Sequence, residues 1–170
     1  MSGDRDLVTV YVDLPNHWAA SGEALWAQPL GDNLYELLNV PFFAYDLNFL
    51  DIVEATSSWP DLKIQVKRVV RRSGHRTVRV FFQAVLAEAD REPTLEQLIL
   101  LGATYETATE AYYALDIAPD ADYDAVCEQL TDWERQGLLD FETCEAREPG
   151  SFDEVASLPS LGPPPSSSAN

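Results

Sequence analysis

Cysteine, histidine and lysine each occur only twice in this 170-residue chain, and methionine once. The two cysteines, Cys127 and Cys144, exclude a disulfide-rich scaffold and cannot fill a four-ligand zinc site on their own. The histidines, His17 and His75, lack the spacing of a metal-binding pair. Basic residues number 11 against 29 acidic ones, a net charge of −18. That balance argues against nucleic acid or an anionic membrane as partner of the whole surface, because each phosphate contact needs a Lys or Arg. No apolar run approaches the roughly 18 residues that span a bilayer. The polar start Met1-Ser2-Gly3-Asp4-Arg5-Asp6 lacks the basic opening of a secretory signal. The expectation is a cytoplasmic protein with reduced thiols. Nine arginines against two lysines suit a GC-rich bacterial genome.

Hydrophobic residues at 46% and aromatics at 11% are enough for a real core, in about one domain or two very small ones. Leu7 to Leu14 alternates and is β-branched, which predicts a strand. Ala24–Leu30 and Leu34–Leu38 flank Gly31-Asp32-Asn33 and predict a hairpin. Asn39 to Tyr45 is apolar, but Pro41 removes a ladder donor, so it reads as an edge or crossing segment. Phe49–Thr56, Leu62–Arg72 and Arg76–Gln83 follow as strands. Val78, Val80 and Phe82 share one face of the last.

The second half changes period. Thr94 with Gln97 three residues on predicts a capped helix that ends at Gly102. Two strands, 105–109 and 111–117, precede a helix from Asp122 to Gln136, and 138–145 reads as a closing strand. The fold class is therefore α+β: a small β-barrel-like sheet over 1–72, then a ferredoxin-like split βαβ unit over 73–148. Beyond 148 the composition turns to Pro, Ser and Gly, and 149–170 reads as a disordered tail.

Several stretches carry a resemblance. Ala24-Leu25-Trp26-Ala27-Gln28-Pro29-Leu30-Gly31, Asn39-Val40-Pro41-Phe42-Phe43-Ala44-Tyr45, Leu50-Asp51-Ile52-Val53 and Arg72-Ser73-Gly74-His75-Arg76-Thr77-Val78-Arg79-Val80 resemble the uncharacterised bacterial family known as domain of unknown function 4265. The helix start Asp122-Tyr123-Asp124 fits it too. The resemblance spans residues 22 to 146 and implies a compact bacterial domain, with no activity, cofactor or catalytic residue to carry over.

One segment breaks the acidic pattern. From Lys63 to Arg79 there are seven basic residues (Lys63, Lys67, Arg68, Arg71, Arg72, Arg76, Arg79) and no acidic one, so the rest of the chain carries −25. Strand alternation predicts charge on both faces, and a hairpin tip clear of the core carrying Arg71, Arg72, His75 and Arg76. Three readings stand. The arginines pair with the protein's own carboxylates. Alternatively the tip is an anion site, where Gly74 lets backbone approach and Arg forks hold oxyanions. Thirdly, it is one pole of a protein interface.

No catalytic constellation emerges. Ser73 beside His75 lacks an orienting third group. Asp120-Ala121-Asp122-Tyr123-Asp124 starts like a calcium loop, but Ala125 stands where Gly is needed and Thr131 where Glu is needed. Asp122 reads better as a helix cap, with Asp124 at the helix's positive end. Cys127 falls on an apolar helix face and reads as core, and Cys144 has no CxxC partner or basic neighbour to activate it. Trp18, Trp26, Trp59 and Trp133, with Phe42, Phe43 and Tyr45, could line a cleft but more commonly fill a core. Trp59, beside Pro60 in a loop, is the least core-like.

The functional expectation is a non-enzymatic, cofactor-free, metal-free module of the immunity or inhibitor type that binds a basic protein. Its contacts would be Trp59 and the acidic stretch Asp116, Asp120, Asp124, Glu128, Asp132 and Glu134. The alternative is a small-molecule or nucleotide sensor whose anion site is Arg71, Arg72, Gly74, His75 and Arg76.

Overall fold

Val8–Asp13 (β1) turns Val10 and Val12 inward and Thr9 and Tyr11 outward, and that two-residue period recurs through the first half of the chain. The computed structural model describes residues 6–156. Gly22–Gly31 (β2) pairs antiparallel with β1, and Leu34–Leu37 (β3) returns through a two-residue turn. Asp32 and Asn33 occupy that turn with φ of 54° and 61°, a left-handed pair that short Asx side chains tolerate. Ile52–Ser57 (β4) and Ile64–Arg71 (β5) complete a closed barrel, sealed by one parallel pairing of Tyr11 with Gln65. Val10, Leu14, Leu25, Leu37, Leu47 and Val53 fill it.

β5 departs from simple alternation. Its register against β4 skips Lys67 and Val70, so two bulges interrupt the ladder. Each bulge inserts one residue and bends the strand. As a result Val66 and Val69 point towards the core while Lys67, Arg68, Val70 and Arg71 all lie exposed. The expectation of charge on both faces is thus corrected: the inner face is apolar.

The second half forms the expected split βαβ unit. Arg76–Phe82 (β6), Ala103–Thr107 (β7), Tyr112–Ile117 (β8) and Leu139–Thr143 (β9) make an antiparallel sheet ordered β7-β8-β6-β9. Glu88–Glu96 (α1) and Tyr123–Arg135 (α2) contribute Leu95, Val126 and Leu130 to a core with Val78, Val80 and Phe82 of β6. α2 follows its sequence signals, with the Asp122 carboxylate accepting from the Ala125 amide at 3.0 Å. α1 does not. It begins six residues before Thr94, whose hydroxyl donates to the Asp90 carbonyl at 2.7 Å instead of capping, and Pro93 sits inside the helix. Gly102 still ends the unit with φ of 95°, and a Cβ there would lie 2.5 Å from that of Ala121.

Two further expectations change. β5 and β6 are not a hairpin, because β5 is already paired on both edges in the barrel while β6 runs between β8 and β9. Ser73-Gly74-His75 is therefore a crossover between sheets, not a projecting tip. Of the segment read as tail, residues 157–170 lie outside the described residues, but 149–156 include a docked strap. Phe152 packs on the barrel core, and Asp153 Oδ2 accepts from the Asn16 amide and side chain at 2.7 and 3.0 Å. An acid and an aromatic inside a Pro/Ser-rich stretch are what composition averaging conceals.

Candidate functional site

The distinctive region is the junction where barrel meets sheet. The face of β6, β8 and β9 turned away from the helices carries Thr77, Arg79, Tyr112, Asp116 and Glu142, and residues 39–51 of the barrel half lie across it. That passage makes little regular structure, so its backbone groups need partners from outside. Glu23 on β2 accepts the amides of Phe42, Phe43 and Ala44 at 2.6, 3.0 and 2.8 Å. Arg79 Nη1 donates to the Ala44 carbonyl at 2.8 Å, and the Tyr112 hydroxyl donates to that of Phe42. Asp46 N donates to the Cys144 carbonyl at 2.7 Å, and Tyr45 N to that of the strap residue Phe152 at 2.9 Å.

Arg79, read from sequence as part of a cationic surface, is 1% exposed. Its Nε donates to Glu142 Oε1 at 2.9 Å and its guanidinium lies 4.6 Å from the centre of the Tyr45 ring. Arg147 approaches the same ring at 4.5 Å and reaches Glu142 Oε2 at 3.1 Å. The Tyr45 hydroxyl lies 2.6 Å from Glu154 Oε1, and burial followed by that bond raises its pKa. Arg79 Nη2 has no hydrogen-bond partner among the described residues.

The other six cations of the basic segment are distributed rather than concentrated. Arg68 pairs with Glu54 at 2.7 Å and Arg72 with Asp46 at 2.8 Å, with Asp51 at 3.7 Å. The Arg68–Glu54 and Arg72–Asp46 pairs are open to solvent and add little stability, whereas Asp51 is buried. Arg76 stacks on Tyr123 at 4.2 Å, and Lys63 lies 5.2 Å from the Tyr11 ring centre. Lys67 and Arg71 pair with no carboxylate among the described residues. Gly74, with φ of 90°, and Arg76 border a shallow cleft of about 640 Å³ shared with Pro119, Asp120 and Asp124.

His75 has the orienting group that sequence could not identify. Its Nδ1 lies 2.8 and 2.9 Å from the carboxylate oxygens of Asp116, a hydrogen-bonding distance that orients the ring. Ser73 is not the third member of a triad: its hydroxyl donates to the Phe49 carbonyl at 2.7 Å and accepts from the His75 amide. Asp116 is buried, which corrects its assignment to the contact surface. Tyr113, Leu115 and Ile117 face the helices, so Asp116 falls on the junction side.

Burial raises the Asp116 pKa and the His75 interaction only partly offsets it. The folded state thus holds this proton more tightly than the unfolded chain. Its contribution is fully present below the ordinary carboxylate pKa of about 3.9 and is lost as pH rises through the folded value. Denaturant midpoints measured upwards from pH 4 should show that falling component in the wild type and lose it in Asp116→Asn.

The remaining acidic candidates do reach solvent. Asp120, Asp124, Glu128, Asp132 and Glu134 are exposed, and Asp124, Glu128 and Asp132 repeat every four residues along the outer side of α2. At 1.5 Å per residue this makes a row of carboxylates about 6 Å apart. Arg135 is 3.7 Å from Asp132 at the end of the row. Trp59 is 82% exposed, as its loop position implied. Trp18, read from sequence among the aromatics that more commonly fill a core, is 86% exposed.

Neither thiol is poised to react. Burial pushes Cys144 up to about 12, and it also raises Cys127, half-buried on α2. Thiolate is the reactive form. Native protein at pH 8 should therefore leave Cys144 unlabelled by a disulfide reagent, with Cys127 reacting slowly and both reacting at once in denaturant.

No helix among the described residues is long and apolar enough to cross a membrane. A family model described as domain of unknown function (DUF4265) matches residues 23–141. No curated protein matches the chain. A crystal structure of a hypothetical protein from Neisseria gonorrhoeae is similar in fold, with a TM-score of 0.67 at 16% identity, covering 81% of this chain and 95% of that one.

Proposed function

Because the chain belongs to the domain of unknown function (DUF4265) family, whose name carries no activity, we propose from its surface that it is a protein-binding module for a basic partner. The observation that carries this reading is the outward carboxylate row Asp124, Glu128 and Asp132 on α2, in a chain of net charge −18. Charge of one sign steers an oppositely charged protein and speeds encounter more than it adds affinity. An inhibitor or immunity protein, which must capture its target quickly, is the type of binder this suits.

The sensor alternative fits less well. An anion at the Arg72–Arg76 turn would have to displace Asp46 from Arg72 and enter beside Asp120 and Asp124. A phosphorylated compound that raises the melting temperature, with the effect lost in Arg72→Ala, would revive it.

The test of the leading reading is capture from native lysate at low salt, using wild type and an Asp124→Lys, Glu128→Lys, Asp132→Lys triple variant as parallel baits. The expected result is a basic protein retained by the wild type, released by salt and absent from the variant. Identical recoveries on the two baits would refute the assignment of the helix.

A further inference from the structure

Charge steers partners together, but affinity at interfaces comes from a few aromatic and arginine anchors. The junction supplies a row of such rings. Trp18 stacks on His17 with centroids 5.9 Å apart and planes 22° from parallel. His17 meets Phe43 edge-on at 5.5 Å, and Phe43 stacks on Tyr112 at 6.0 Å. Phe42 adjoins Tyr112 at 6.1 Å, and Phe81, 50% exposed, stands opposite Tyr112 in the sheet register. Apart from the end members Trp18 and Phe81, the rings are half-buried, which leaves part of each to solvent.

We propose that this row seats an extended, arginine-bearing segment of a partner protein. Spacing argues for an extended chain: alternate residues of a strand project at about 6.6 Å intervals, close to the separation of successive rings here. Composition argues for arginine. Tyr45, buried with its ring 6.4 Å from that of His17, shows the same pairing inside the fold, where the guanidiniums of Arg79 and Arg147 lie against it. The same neighbourhood is rimmed by Glu142 and Glu154 at the Tyr45 hydroxyl and by Asp140 opposite Phe81. Cations held over rings and beside carboxylates are favoured in such a setting.

The protein also holds the row in place. His17 Nδ1 accepts from the amides of Ala19 and Ala20 at 3.0 and 3.3 Å, which fixes the orientation of the ring. Asp153 of the strap fixes Asn16 immediately before it. A pre-set loop costs less to bind than one ordered on contact.

The inference rests on the protein-binding reading but concerns different residues, so the two can fail separately. The probe is a synthetic peptide of alternating arginine and serine, titrated calorimetrically at low salt, with a lysine–serine peptide of equal charge as control. Wild type should bind the arginine peptide more tightly than the lysine one. Trp18→Ala should weaken that binding about tenfold or more, while Leu100→Ala, at an exposed position outside the row, leaves it unchanged. Equal affinity for the two peptides, undiminished binding by Trp18→Ala, or no binding by wild type would each overturn the row. A charge-neutralised α2 variant (Asp124→Asn, Glu128→Gln, Asp132→Asn) bears on the helix alone. Loss of the peptide there with retention in Trp18→Ala refutes the row and leaves the helix standing.

Discussion

Arg79→Ala should lower the unfolding free energy by about 3–5 kcal/mol, the usual cost of removing one partner from a buried charged pair. Several losses combine. The carbonyls of Ala44 and Pro41, 2.8 and 3.4 Å from Nη1, lose a donor in a place water does not reach. Each orphaned buried acceptor costs about 1–3 kcal/mol. The Tyr45 ring loses one of its two guanidinium neighbours, and a cavity opens between β6 and the passage. Glu142 suffers less, since Arg147 still reaches it at 3.1 Å. Arg79→Lys should recover only part of the loss, because an ammonium cannot fork to Glu142 and the carbonyl while lying flat on the ring. Against this stand the desolvation of the guanidinium and the unpartnered Nη2, both of which reduce the net worth of the native arrangement. They affect what a hydrophobic redesign could achieve, not the sign of a simple truncation. Urea titration at fixed pH reads the effect, and a loss below about 1 kcal/mol would contradict the structural account.

Much of the architecture was legible because it rests on local pattern. The alternation in Val8–Asp13 and in Val78, Val80 and Phe82, the Asp32-Asn33 turn and the Asp122 cap all act within a few residues of themselves. The split βαβ order follows from their succession. What escaped depends on partners distant in sequence. A run of seven cations reads as surface, yet Arg79 is core because Ala44 and Glu142 come to it from 35 and 63 residues away. The bulges at Lys67 and Val70 arise from pairing with β4, and nothing in β5 itself announces them. Thr94 with Gln97 three residues on has the form of a capping box, which moved the expected start of α1 to Thr94; the helix instead opens on Glu88 and Asp90, acids that favour its positive end. At the candidate site, exposure of the α2 carboxylates was readable from helical period, whereas Asp116 belongs to a strand whose other face is equally covered. The aromatic row was the least visible part, since His17 and Tyr112 meet through Phe43 only once the barrel lies on the sheet.

The second large effect is expected at Glu23. This residue opposes Val12 near the end of the β1–β2 ladder, where its carboxylate faces the passage rather than the barrel core. A carboxylate is acceptor-only with two oxygens, the chemistry that three converging amide donors require. Glu23→Ala strands the amides of Phe42, Phe43 and Ala44 and should cost about 4 kcal/mol, taking each as a partly compensated loss of a charge-assisted bond. Glu23→Gln should rescue only part of the loss, because with its oxygen towards the Phe43 and Ala44 amides its NH₂ points a donor at the Phe42 amide. Glu23→Asp is one methylene too short to span the same gap. The position of the damage separates this prediction from general destabilisation: amide hydrogen exchange should rise first at Phe42–Ala44, ahead of the barrel strands. Arg79 grips the same segment from the opposite side, through its carbonyls. The two losses should therefore not add, since once either hold is released the other has less to retain. Glu23→Ala combined with Arg79→Ala is expected to fall short of the sum of the singles by 1 kcal/mol or more, a shortfall of about the size seen for contacting residues. Strict additivity would mean that the passage is held independently from its two sides and that barrel and sheet are not coupled through it.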